Sequence, residues 1–194
     1  MDVKAEKNVK FNLDKELIWC KIIDPSFMVE TVPGAELTEQ IDEKHFRGKL
    51  SLKIGPVTTK FNGEAKFTKL DESNKELIME GKGQDTSGKG GAKLTMNIKL
   101  ITLDQNVTEM YSCMKLSITG KIAQFGSRMI VAVNNKMFEQ WVMNFTNLLN
   151  DKIETNKYKD NKNKSLNDPK TIESSKVNVI SVVWTAIKSL FGNK

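Results

Sequence analysis

The chain has 194 residues, 39% of them hydrophobic, with 30 Lys and Arg against 24 Asp and Glu and a net charge of +6. That length fits one domain with an extension. Cys20 and Cys113 are the only cysteines and lack metal spacing, which excludes a disulfide-stapled scaffold and points to a reducing compartment. The polar opening MDVKAEKNVKFN lacks the apolar stretch of a secretory signal, and no apolar run reaches the roughly 18 residues that a membrane span needs.

Val3, Ala5, Val9 and Phe11 predict a first strand. Asn12 is the expected N-cap of a short helix over Leu13–Ile23, with Asp14 and Glu16 in its first turn. Asp24-Pro25 ends that helix, since the residue before proline is pushed out of the α region. A second short helix is predicted over Ser26–Thr31, and Val32-Pro33-Gly34 leads into a strand over Ala35–Ile41.

The stretch His45–Thr68 carries the clearest pattern. Phe46, Leu50, Leu52 and Ile54 alternate with Arg47, Lys49, Ser51 and Lys53; after Gly55-Pro56, Val57, Thr59, Phe61, Ala65 and Phe67 alternate with polar residues. Two period-two runs broken by Gly-Pro read as a hairpin with one apolar face and one rich in lysine. Leu77 and Met79 lead the next run, which ends at Gly81-Lys82-Gly83, and Asp85–Gly91 reads as a flexible turn. Ala92, Leu94, Met96, Ile98 and Leu100 form a further strand face, and Met110, Ser112, Met114, Leu116 and Ile118 the last.

Beyond Gly126 the period changes. Ile130, Val133, Met137, Trp141, Phe145 and Leu148 recur every three or four residues, an amphipathic helix expected from Ser127 to Asn150. A run of strands followed by a terminal helix argues for an α+β fold: an antiparallel sheet of six or seven strands whose apolar face the long helix covers.

Several features resemble the CoxG family of carbon monoxide dehydrogenase accessory proteins, a branch of the START-like (Bet v 1-like) helix-grip proteins. They are Trp19 with Asp24-Pro25, Val32-Pro33-Gly34, Gly48, Lys53, Gly55-Pro56-Val57, Phe61, Gly63, Gly81, Gly83, Gly120 and Gly126-Ser127-Arg128, spread over residues 1–150. The resemblance implies a curved sheet gripping the C-terminal helix with an apolar cavity between them. It further implies association with a molybdenum-type carbon monoxide dehydrogenase or a related flavin-containing hydroxylase, and an isoprenoid quinone as cargo.

The side chains expected to line such a cavity are Met28, Leu52, Phe61, Met79, Met96, Ile98, Met110, Met114, Val133, Met137 and Trp141. Methionine is unbranched and adaptable, which suits a wall that fits a flexible apolar ligand; it also fills gaps in a dry core. Gly63, Gly81 and Gly83 fall on inward positions, where they leave space or let the sheet bend. Thr59, Tyr111, Ser112 and Arg128 are candidates to orient a polar head group.

Catalytic machinery is not expected. His45, the single histidine, falls on the wet face of its strand, no inward position in this reading is acidic, and no nucleophile elbow, phosphate loop or metal-ligand spacing occurs. Neither a covalently bound cofactor nor a nucleic-acid partner is expected.

Residues 151–176 are polar and charge-dense and read as a disordered linker. Residues 177–194 then turn apolar: Val179, Ile180, Val183, Trp184, Ile187, Leu190 and Phe191 share one side of a predicted helix whose narrow polar stripe carries Lys188. An apolar segment of this length makes a helix of about 22 Å, short of the roughly 30 Å hydrocarbon core, so an interfacial anchor fits better than a span. Docking on a partner protein or on its own domain are the other uses of such a segment. The last 44 residues also hold nine lysines against five carboxylates, which favours an anionic surface. The expectation is therefore a non-catalytic carrier or adaptor, cytoplasmic and peripheral on the inner face of the cell membrane. An enzyme of cyclase or hydroxylase-component type, or an assembly factor for a partner dehydrogenase, stands as the alternative.

Overall fold

The computed structural model describes residues 1–88 and 90–164, with side chains described as far as residue 153. The chain forms two compact units, Met1–Asn147 and Leu148–Lys194. The first holds β1 (Asp2–Phe11), α1 (Lys15–Ile22), α2 (Pro25–Thr31), β2 (Ala35–Gln40), β3 (His45–Ile54), β4 (Val57–Asp71), β5 (Glu76–Asp85), β6 (Gly91–Asp104) and β7 (Val107–Ile118). A 3-10 turn at Gly120–Phe125 follows, then α3, which starts at Gly126 and runs to Lys164.

The seven strands form one antiparallel sheet in the order β1-β7-β6-β5-β4-β3-β2. β2 to β7 make a meander, and β1 returns to pair with β7, with the amino terminus donating to the Ile118 carbonyl at 2.9 Å. Pairing of Ile54 with Val57 leaves Gly55-Pro56 as a two-residue turn, and Gly55 takes a φ of 58°, which favours glycine. Register shifts at Leu37/Glu39, Phe67/Lys69 and Thr102/Asp104 bend the outer strands.

The helix ends differ from expectation. The first helix is capped by Asp14, not Asn12: its carboxylate accepts from the Glu16 and Leu17 amides at 2.8 and 3.3 Å. Asp24 does the same for α2, with Pro25 filling the first turn where no donor is needed. α3 passes the expected stop at Asn150, so residues 151–164, read as linker, are helical in backbone. They contain no Gly or Pro, and a helix needs no apolar stripe to continue. The rest of the expected linker and the anchor residues Val179, Ile180, Val183, Trp184, Ile187, Leu190 and Phe191 lie outside the described residues.

Within the first unit α3 covers the apolar face of the sheet. Near its start, Ile130 joins Val3, Ile54, Phe61, Ile118 and Ile122 in one buried cluster. Farther along, Trp141 and Phe145 stack among Phe11 and Phe27, with ring centroids 5.1–6.4 Å apart. Asn144 ties the helix to α2 by donating to the Thr31 carbonyl at 3.0 Å.

Candidate functional site

Strand register arranges the helix-facing side of the sheet into rows. Gly48, Gly63, Gly83, Ala92 and Ile118 stand opposite one another across five strands. Two rows further on, Phe67, Met79, Met96, Met114 and Ala5 do the same, so three methionines lie side by side on β5, β6 and β7. The next row runs Leu77, Ile98, Ser112 and Lys7. Alternation alone places these side chains toward α3, and Lys7 confirms it: its ammonium stands 6.0 Å from the centroid of Phe138 on α3.

The expected lining residues divide into three groups. Phe61 belongs to the buried cluster around Ile130, and Leu52 and Val133 pack against it. Trp141 belongs to the aromatic cluster, and Met110 is 1% exposed in the row with Leu100 and Val9. Between them stand Met79, Met96, Ile98 and, on α3, Met137, all half-buried, with Met114 buried beside them. Met28 sits apart on α2, also half-buried.

The head-group candidates fare unevenly. Tyr111 is exposed on the outer face and donates to Glu109 at 2.6 Å, and Arg128 is exposed at the start of α3. Thr59 is buried, but its hydroxyl is committed to Asp85. Ser112 faces α3 from the row beside the methionines, its hydroxyl donating to the Lys7 carbonyl at 3.3 Å.

Two functional-type residues escaped the sequence reading. Lys7 continues the period of Val3, Ala5, Val9 and Phe11, and Asp85 that of Leu77, Met79, Gly81 and Gly83; both periods could have been carried one step on. The expectation that no inward position is acidic is therefore wrong. Asp85 is 6% exposed and takes hydrogen bonds from the Thr59 hydroxyl and from the amide and hydroxyl of Ser87. A carboxylate surrounded by donors is held ionised and fixes the turn after β5; it does not offer a proton.

The opposite face is polar. It carries a groove of about 880 Å³ among Arg47, Lys49, Asn62, Glu64, Lys82 and Lys93, and a second of about 600 Å³ among Glu6, Asn97, Lys99 and Tyr111. Of the expected lining residues, Ile98 alone borders either groove. On this face Glu64 receives Lys82 at 2.7 Å, which holds its carboxyl below the usual range, and His45 lies 3.6 Å from the same side chain. Among the described residues no group of His, Cys, Asp or Glu has metal-binding geometry, and no helix is long and apolar enough to cross a membrane.

A curved seven-stranded antiparallel sheet closed over a long C-terminal helix, with two short helices between the first strands, is the helix-grip fold. Solved structures share it. A conserved protein from Geobacillus kaustophilus aligns with a TM-score of 0.66 at 20% identity, over 78% of this chain and 96% of that one. The Zhui aromatase/cyclase from Streptomyces sp. R1128 gives 0.58 at 13%, over 79% and 96%, and truncated norcoclaurine synthase from Thalictrum flavum 0.54 at 13%, over 77% and 94%. No curated protein matches the chain. The family model of CoxG, the G-type subunit of carbon monoxide dehydrogenase, matches residues 8–150, and the chain belongs to that family.

Proposed function

We propose that this protein is a non-catalytic carrier that holds an apolar molecule between sheet and helix. The observation that supports this is the row Met79–Met96–Met114. Two packed clusters brace α3 at its start and around Phe145, yet Met79, Met96, Ile98 and Met137 between them stay half-buried on inward positions. Adaptable side chains left partly open between rigid supports suit a ligand that must enter and leave. An isoprenoid quinone fits as cargo: it is nearly insoluble in water, and each CH₂ it buries stabilises the complex by about 0.8 kcal/mol.

Family membership favours a molybdenum-type carbon monoxide dehydrogenase-like enzyme as partner. The carrier would serve that enzyme from the inner face of the cell membrane, with residues 177–194 as the anchor on anionic lipid. Organic extraction of the purified full-length protein, followed by mass spectrometry, tests the cargo. Recovery of quinone or lipid is expected; none recovered, and none bound on addition, overturns the carrier. Flotation with anionic vesicles tests the anchor: loss of co-flotation on deleting 177–194 is expected, and a full-length chain that stays in the soluble fraction overturns it.

The alternative, an enzyme in a helix-grip pocket, would draw on Asp85 as the buried acid. Its three donors argue for a scaffold role instead.

A further inference from the structure

Trp141 is 7% exposed, and its indole nitrogen is the one buried side-chain donor among the described residues with no hydrogen-bond partner. A buried N–H without an acceptor is costly, and native proteins rarely keep one without a use. Trp19 shows the usual solution, its indole N–H donating to Glu72 at 2.5 Å. Around Trp141 stand the rings of Phe11, Phe138 and Phe145, which offer no oxygen.

The same stretch holds a second donor. Lys7 faces α3 over the Phe138 ring, which itself lies 5.7 Å from the Trp141 ring, and Lys7 forms no ion pair among the described residues. An N–H and an ammonium thus border one aromatic ring, beside the half-buried Met137 one turn earlier on α3. Two donors among apolar walls call for an acceptor.

Resting on the carrier reading, we infer that the cargo carries a carbonyl-type oxygen and seats it on the Trp141 indole N–H. Trp141 is then a specificity residue: it selects oxygenated ring compounds, quinones among them, over hydrocarbons of the same shape. Lys7 supports that end of the ligand, and the methionine row takes its apolar remainder.

The test uses two probes with one tail, para-benzoquinone bearing a hexyl chain and hexylbenzene, titrated calorimetrically into full-length wild type and Trp141→Phe. Phenylalanine keeps the ring packing and removes the donor. The variant should bind the quinone roughly three- to tenfold more weakly, the worth of one neutral hydrogen bond, and bind hexylbenzene as wild type does. In wild type, the Trp141 indole proton should move downfield in the NMR spectrum with the quinone and stay in place with hexylbenzene. That second readout decides the matter if the variant does not fold. Equal weakening for both probes, unchanged quinone affinity or an unmoved indole proton overturns the inference and leaves the carrier reading intact. Wild type that takes up neither probe overturns both.

Discussion

Lys75 Nζ lies 2.6 Å from Glu16 Oε2, and this pair fastens α1 to the turn between β4 and β5. Lys75 is 5% exposed; it also reaches Glu72 and stands 5.4 Å over the ring of Trp19, whose indole donates to Glu72 in turn. The hydrogen bond from Lys75, and then that from Trp19, hold the Glu72 carboxyl below its ordinary range. Those to Glu16 and then Glu72 raise the Lys75 ammonium. For Glu72 the folded state binds fewer protons, so its contribution is complete above the unfolded value of about 4.3 and is lost as pH falls through the lowered folded value. For Lys75 the sign reverses: its contribution is complete below about 10.4 and is lost as pH rises through the raised value. Thermal unfolding followed by circular dichroism should show a plateau between these limits and a fall on either side. Lys75→Met should lower the melting temperature on the plateau and flatten both falls. An unchanged profile would mean that the clasp contributes nothing.

Gly63 and Gly81 face the same way from neighbouring strands yet answer to different constraints. A Cβ on Gly63 would stand 2.5 Å from the Lys82 carbonyl oxygen, a backbone atom that has no room to retreat. A Cβ on Gly81 would meet Leu94 at 3.7 Å, ordinary contact. Gly63→Ala should therefore cost about 1–3 kcal/mol in urea unfolding through backbone displacement. Gly81→Ala should be neutral, or gain up to about 1 kcal/mol by restricting the unfolded chain. Equal effects would show that the close approach at Gly63 does not govern the bend.

The aromatic cluster should carry more stability than any comparable set on the wet side of α3. Phe145 is fully buried, with Phe11, Phe27 and Trp141 at centroid distances of 5.6, 5.5 and 5.1 Å. Met143, two residues earlier, is 48% exposed. Phe145→Ala should cost about 3–5 kcal/mol, the range for emptying a buried ring site, and Met143→Ala within about 0.5 kcal/mol. Urea denaturation of both variants measures this, and a small loss at Phe145 would mean that α3 is held elsewhere.

Alternation made the meander readable because each strand has one wet and one dry face, and a one-residue error would have reversed every side chain. Helix ends were less legible. Asn12 and Asp14 are both good caps, and only the backbone decides which carries the bonds. The end of α3 was misplaced because fading apolar period was taken for helix termination, although 151–164 contains nothing that breaks a helix. At the site, the methionines were readable as inward-facing. Lys7 and Asp85 were passed over because a charge at an inward position looks like a break in the pattern, and their partners, the Phe138 ring and the Thr59 and Ser87 hydroxyls, come from distant or turn positions.

Met137 separates a carrier from a filled core. It is half-buried on α3, one turn before Trp141, and the carrier reading places it on the wall of the ligand space. Tryptophan there adds bulk. In a close-packed core that insertion costs about 1–3 kcal/mol, because neighbours must leave their rotamers. In a space that a ligand occupies, the indole takes the ligand's place and the surroundings stay as they are. Met137→Trp should therefore unfold in urea within about 0.5 kcal/mol of wild type while losing most of its extractable quinone or lipid. A variant destabilised by the packing penalty, with its extractable cargo undiminished, would show that Met137 belongs to the solid interior and that the cargo, if any, sits elsewhere.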